Sequence, residues 1–191
     1  MKYKRFLAAL MAAVLLFAIT ACKKEEKVPY YPANPNEEFV LNIFASEELV
    51  AVMSDLVYRY STYAPRASIR VTSDEGAILA AKIEAGTPCD IYVSDDVRFM
   101  DWLDAECDEE KNPNHNDKIV SETRRDIAVG PGNEKYAEEE IAEGEVYTTT
   151  FSAAVCRATA LSYESEQFIL FMLSDEVKDV YEAYGFSRIE E

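Results

Sequence analysis

The chain has 191 residues, of which 36 are acidic, 19 basic and one histidine, for a formal charge of −17 at neutral pH. That excess argues against nucleic acid as a partner, because a polyanion is held by lysines and arginines. An acidic surface also disfavours anionic lipids and solutes at long range, although salt limits the reach to about 8–10 Å. Along the chain, Lys2, Lys4 and Arg5 precede an apolar run from Phe6 to Ile19, too short for an ordinary membrane span. The run ends in Ile19-Thr20-Ala21-Cys22, and this order predicts an export signal over residues 1–21.

Small residues before a cysteine, followed at once by Lys23-Lys24-Glu25-Glu26, resemble a bacterial lipobox. The resemblance implies cleavage before Cys22, a diacylglyceryl group on its sulfur and a place on the extracytoplasmic face of the cell membrane, where two acyl chains make a stable anchor. A plain cleavable signal peptide or an anchor helix is the other reading. Residues 22–38, with Pro29, Pro32 and Pro35, predict an extended tether. From Cys22 onward about 170 residues remain, enough for one domain with a proper core and thin for two. Cys89, Cys107 and Cys156 show no C-x-x-C spacing and do not read as a zinc site. Export permits one disulfide with a thiol left over, and buried free cysteines acting as small apolar residues are the alternative.

After the tether the hydrophobic period alternates in a regular order. Phe39 to Phe44 predicts a buried strand, and Leu49, Val52, Met53, Leu56, Val57 and Tyr60 fall at helical spacing before Pro65. Ile69 to Thr72 predicts the next strand, Gly76 to Ala85 a helix stopped by Gly86, Ile91 to Val93 a third strand, and Val97 to Ala105 a helix. Cys107 to Ser121 is a polar loop. Asp126 to Gly130 predicts a strand, Lys135 to Glu145 a short acidic helix or excursion, Val146 to Arg157 a strand, and Phe168 to Tyr181 a helical close. Strand and helix alternating at this pitch predict an α/β fold, a parallel-type sheet with helices on both faces.

Several segments carry a family resemblance. Leu41-Asn42-Ile43-Phe44-Ala45, Gly76-Ala77-Ile78-Leu79-Ala80, the stretch Gly86-Thr87-Pro88-Cys89-Asp90-Ile91-Tyr92-Val93-Ser94, and Met100-Asp101-Trp102-Leu103 resemble the molybdate-type substrate-binding proteins of ABC transporters. The ending, Ala153-Ala154-Val155, then Phe168 to Glu176 and Tyr184-Gly185-Phe186, resembles the same family's C-terminal segment. The resemblance implies a type II periplasmic-binding-protein fold, a small solute as ligand, molybdate or tungstate by analogy, an ABC permease as membrane partner, a monomer and no cofactor. It also divides the chain into a first lobe at 39–124, a reduced second-lobe remnant or crossover at 125–151, and a first-lobe return at 152–191.

Ligands of open α/β sheets sit at the carboxyl ends of the strands. The candidate ligand-binding residues are therefore Ala45, Ser46 and Glu48 in the first loop and Ser73, Glu75 and Gly76 in the second. Two helix N-termini aimed at one crevice would suit an oxyanion, yet Glu48 and Glu75 stand where the family places serines. A carboxylate about 4 Å from a dianion costs roughly 8 kcal/mol at an effective dielectric near 20, whereas a helix N-terminus returns at most about 2 kcal/mol. Tetrahedral dianions should be rejected unless both side chains turn away or Ser46 and Ser73 substitute. If Glu48 and Glu75 converge instead, a divalent cation or an amine is the sharper expectation.

Blander readings stand beside these. Glu47, Glu48, Asp74 and Glu75 can complement helix dipoles or cap helices, and Asp95-Asp96 can cap the next helix. His115 in its polar loop reads as solvated, and Trp102 as core. No Ser-His-Asp, Cys-His or phosphate-loop pattern is visible, so no catalytic role is expected. The functional expectation is a lipid-anchored extracytoplasmic solute-binding protein of an ABC importer. The alternatives are a surface lipoprotein that keeps the fold as an interaction module, or a degenerate truncated copy.

Overall fold

The computed structural model describes residues 37–189. The export segment, Cys22 and the tether up to residue 36 lie outside the described residues.

Strand β1 (Phe39–Ser46) opens the fold, and a 3₁₀ turn at Glu47–Leu49 leads into helix α1 (Val50–Tyr60). Then follow β2 (Ala67–Asp74), α2 (Gly76–Glu84), β3 (Ile91–Ser94) and α3 (Val97–Leu103). After the polar loop come β4 (Arg125–Pro131), β5 (Thr148–Val155), α4 (Ser162–Met172), α5 (Lys178–Ala183) and a short β6 (Ser187–Arg188). Helix α2 ends where Gly86 takes φ +88°, a left-handed position that a side chain would strain. The acidic helix or excursion expected after Lys135 is only a 3₁₀ turn at Glu134–Tyr136.

The strands form one sheet in the order β2-β1-β3-β5-β4-β6. Strands β2, β1 and β3 are mutually parallel, as the strand–helix alternation requires. Strand β5 runs antiparallel to both β3 and β4, and β6 antiparallel to β4. The sheet is therefore mixed, and β1 to β4 all point their carboxyl ends to the same edge. The interval 125–151, expected as a lobe remnant or crossover, supplies two neighbouring strands of this sheet, so what projects beyond it narrows to residues 132–147. That connection leaves from the carboxyl end of β4 and returns at the start of β5, which puts it on the edge where the β1 and β2 loops emerge.

Period-two alternation sorts the buried side chains onto two faces. Leu41, Ile43, Ala45, Ile91, Val93, Phe151 and Ala153 pack with α1, α4 and α5. Phe44, Tyr92 and Ala154 pack with α2 and α3 on the other face. Tyr60 anchors the larger core, meeting the edges of Phe168 and Phe171 at 5.0 and 5.1 Å between ring centroids. The stretch around Pro88 has a structural reason for its aspartate. Asp90 Oδ2 accepts the Asn42 backbone N–H at 2.7 Å and its Oδ1 accepts the Thr159 hydroxyl at 2.5 Å, so one carboxylate ties β1 to the segment after β5.

Candidate functional site

The carboxyl ends of β1, β2 and β3 carry three loops to one place. Ser46 ends β1 fully buried, and its hydroxyl donates to Asp95 Oδ1 at 2.7 Å while accepting the Asp95 backbone N–H at 3.1 Å. Asp95, just beyond β3, is 1% exposed. The Glu48 carboxyl lies close enough to repel it, and Glu48 Oε2 and Asp95 Oδ2 are both buried without a hydrogen-bond partner. Burial foremost pushes both carboxyls above the usual range; repulsion from Asp95 and Glu47 adds to it at Glu48, and at Asp95 the push from Asp96 works against the Ser46 hydrogen bond.

Gly76 begins α2 where a side chain has no room, since a Cβ there would lie 2.7 Å from Asp95 Oδ1 and 3.0 Å from the Phe99 ring. Glu75 precedes it without capping the helix through its side chain. Its Oε2 meets Lys135 Nζ at 2.5 Å and the Tyr136 hydroxyl at 3.3 Å, and Lys135 holds the Glu75 carboxyl below its usual range. The Tyr136 hydroxyl also lies near the Ala77 backbone N–H, so a phenol occupies the open end of α2. Burial pushes this phenol up to about 12, which keeps it a donor to Glu75 at any ordinary pH. Phe99 packs edge-on against the Tyr136 ring at 5.1 Å, and Arg98 donates to the Tyr136 carbonyl at 3.1 Å. The connection 132–147 thus closes over the strand ends as a strap.

Of the residues expected at the site, Ser46, Glu48 and Gly76 converge through Asp95, while Glu75 forms a separate cluster with the strap. Ala45 pairs with Ser73 and Val93 across the sheet and buries its methyl in the core. Ser73 is exposed and offers no hydroxyl to the Ser46–Asp95 cluster among the described contacts. Glu48 and Glu75 take different partners, and no group of three or more His, Cys, Asp or Glu side chains that could hold a metal ion exists among the described residues. The helix-cap reading of Asp95-Asp96 applies to Asp96, which accepts the Arg98 N–H at 2.8 Å, whereas Asp95 turns toward Ser46. The participants that sequence reasoning missed are Asp95, Lys135 and Tyr136. For Asp95 the available signal was its place one residue past a parallel strand. His115 is exposed at φ +50° and half-buried Trp102 packs on the smaller core.

Residues 41–135 match the family model of bacterial extracellular solute-binding proteins. Among solved structures, the substrate-binding domain of a putative molybdenum ABC transporter from Clostridium difficile superposes with a TM-score of 0.61 at 16% identity, over 79% of this chain and 99% of that one. The Azotobacter vinelandii periplasmic molybdate-binding protein gives 0.57 at 11% identity, over 76% and 98%. The sulfate-binding protein SubI from Mycobacterium tuberculosis gives 0.58 at 7% identity, over 80% and 88%. At such identities these likenesses speak for the fold. A comparison with curated proteins gives no match. The family match across β1 to β4 makes this chain similar to the bacterial extracellular solute-binding proteins, and the fold that it shares with the molybdate-binding structures is the type II periplasmic-binding-protein fold.

Proposed function

We propose that the chain is a lipid-anchored, single-lobed solute-binding protein that presents a small solute to a membrane permease of an ABC importer. The family match and the crevice at the carboxyl ends of β1 to β3 support delivery. Among the described residues no helix is long and apolar enough to cross a membrane, and Cys22 is the proposed point of lipid attachment. Removing that sulfur with Cys22→Ala should move the exported protein from the membrane fraction to the soluble one, and unchanged fractionation would overturn the anchor.

The ligand class rests on one observation: Lys135 places an ammonium on Glu75 at 2.5 Å, at the mouth of a crevice that also holds Glu48 and Asp95. An ammonium or a neutral hydrogen-bond donor suits these carboxyl groups, whereas molybdate or tungstate would have to displace the Tyr136 phenol and then face three acids. The reading is therefore a small amine-bearing or donor-rich solute that competes with Lys135. Thermal-shift titrations with molybdate, tungstate, sulfate, Ca²⁺, Mg²⁺, small primary amines and organic acids test it. A saturable rise with an amine and none with the oxyanions is expected. A rise with molybdate would overturn the ligand class, and a flat response to the whole panel would overturn solute delivery.

The internal pairing of these polar groups favours a second reading, in which the closed crevice is inert and the fold serves as an interaction module. Crosslinking on cells separates the two, because recovery of an ABC permease supports delivery and its absence from an otherwise productive crosslink supports the module.

A further inference from the structure

Cys89 lies just before β3 and Cys156 just after β5, at the same end of an antiparallel strand pair. The Cys156 backbone N–H donates to the Asp90 carbonyl at 2.9 Å, which fixes the two chain segments beside each other. Both side chains turn to the smaller core, where they are 5% and 2% exposed. Cys89 Sγ donates to the Ile91 carbonyl oxygen at 3.1 Å, and the Cys156 thiol is near enough to add to burial in raising the Cys89 thiol. Both sulfur-bearing residues line a cavity of about 380 Å³ together with Ile83, Pro88 and Thr159. Cys107, by contrast, faces Asp101 and Asp104 beyond α3.

We infer that Cys89 and Cys156 form a dithiol that closes to a single intrachain disulfide clipping β3 to β5. With the two segments already hydrogen-bonded side by side and both residues on one cavity, closure needs side-chain rotation and no new strand register. The oxidant is a disulfide, whether a small one entering the cavity or that of an extracytoplasmic thiol oxidase. One protein thiolate attacks the reagent disulfide and expels a thiolate. The second then attacks the mixed disulfide and expels the other. The protein loses two electrons and two protons, and the reagent is reduced to two thiols. Burial, then the neighbouring Cys156 thiol, pushes the Cys89 thiol well above its usual range, so closure is slow at neutral pH and faster in alkali. The clip would shorten the unfolded chain's freedom by closing the loop 89–156.

Incubating the purified full chain with oxidised glutathione, denaturing it in an alkylating reagent and mapping tryptic peptides without reductant tests this pairing. The peptide 83–98 should be found joined to 136–157, with neither cysteine alkylated, and reduction should release both. The oxidised chain should melt higher than the reduced one, and Cys156→Ser should remove that difference while Cys107→Ser keeps it. Full alkylation of Cys89 and Cys156 after oxidation, or a bridge from either to Cys107, would overturn the pairing. The outcome does not depend on ligand or permease.

Discussion

The carboxyl groups of Glu48 and Asp95 are buried near each other, each with an oxygen that has no hydrogen-bond partner, while Ser46 holds Oδ1 of Asp95. Burial raises the folded-state value of both acids above the unfolded one. As pH rises the unfolded chain therefore releases these protons first, so the pair lowers stability across a window that opens in the ordinary carboxylate range and closes at the raised folded values. Glu48→Gln offers Asp95 a donor and removes one titration. Its urea midpoint at neutral pH should rise by the equivalent of about 1 kcal/mol, with a shallower decline between acid and neutral pH. A variant whose pH profile overlays that of the parent would show that the pair does not titrate in that window.

The framework of this site was legible in the sequence because it rests on periodicity. Apolar runs at Phe39–Phe44 and Ile91–Val93, separated by helical spacing, place three parallel strands, and their loops must then emerge at one edge. The partners of the acids were not legible. Lys135 lies 60 residues from Glu75 in sequence, and its contact depends on how the 132–147 connection folds back once β4 and β5 pair. Strand β6, with two residues, is too short for any hydrophobic period to show. Asp95 looked like half of a capping pair because Asp95 and Asp96 are adjacent, and only the turn after β3 sends them in different directions.

Tyr136 covers the open end of α2, where its oxygen lies near the Ala77 amide and its hydroxyl reaches Glu75 at 3.3 Å. Tyr136→Phe keeps the edge contact with Phe99 and removes the hydroxyl that reaches Glu75 and lies over the Ala77 amide. Hydrogen exchange at the Ala77 amide should quicken, with a loss of stability of about 0.5–1.5 kcal/mol. Unchanged protection of that amide would mean that the strap does not seal the helix.

Gly76 couples the second loop to the first. A methyl there meets Asp95 Oδ1 at 2.7 Å, and Asp95 cannot yield without leaving Ser46. Gly76→Ala should cost about 1–3 kcal/mol despite the general preference of helices for alanine. The same variant combined with Asp95→Asn tests the route. A shared clash should give a double-variant loss smaller than the sum of the two single losses in thermal denaturation, and strict additivity would place the strain elsewhere.

Away from the crevice, Arg124 pins the loop that follows α3. Its Nη1 lies 2.7 Å from Asp101 Oδ1 and 3.6 Å from Asp104 Oδ2, and both aspartates are buried. Burial alone would raise the Asp101 value, but the hydrogen bond and charge of Arg124, joined by Lys111 at 3.3 Å, prevail and hold it below the usual range. A lowered folded value contributes stability above the unfolded pKa and loses it as pH falls through the folded one. Arg124→Met keeps much of the apolar stem and leaves the acids short of a cation, so we expect a loss of about 3 kcal/mol at neutral pH. Acidification protonates Asp101 and removes its need for a partner. The gap between parent and variant in denaturant midpoint should therefore narrow as pH drops below the carboxylate range. A gap that stays constant with pH would assign the loss to packing of the arginine stem instead of its charge.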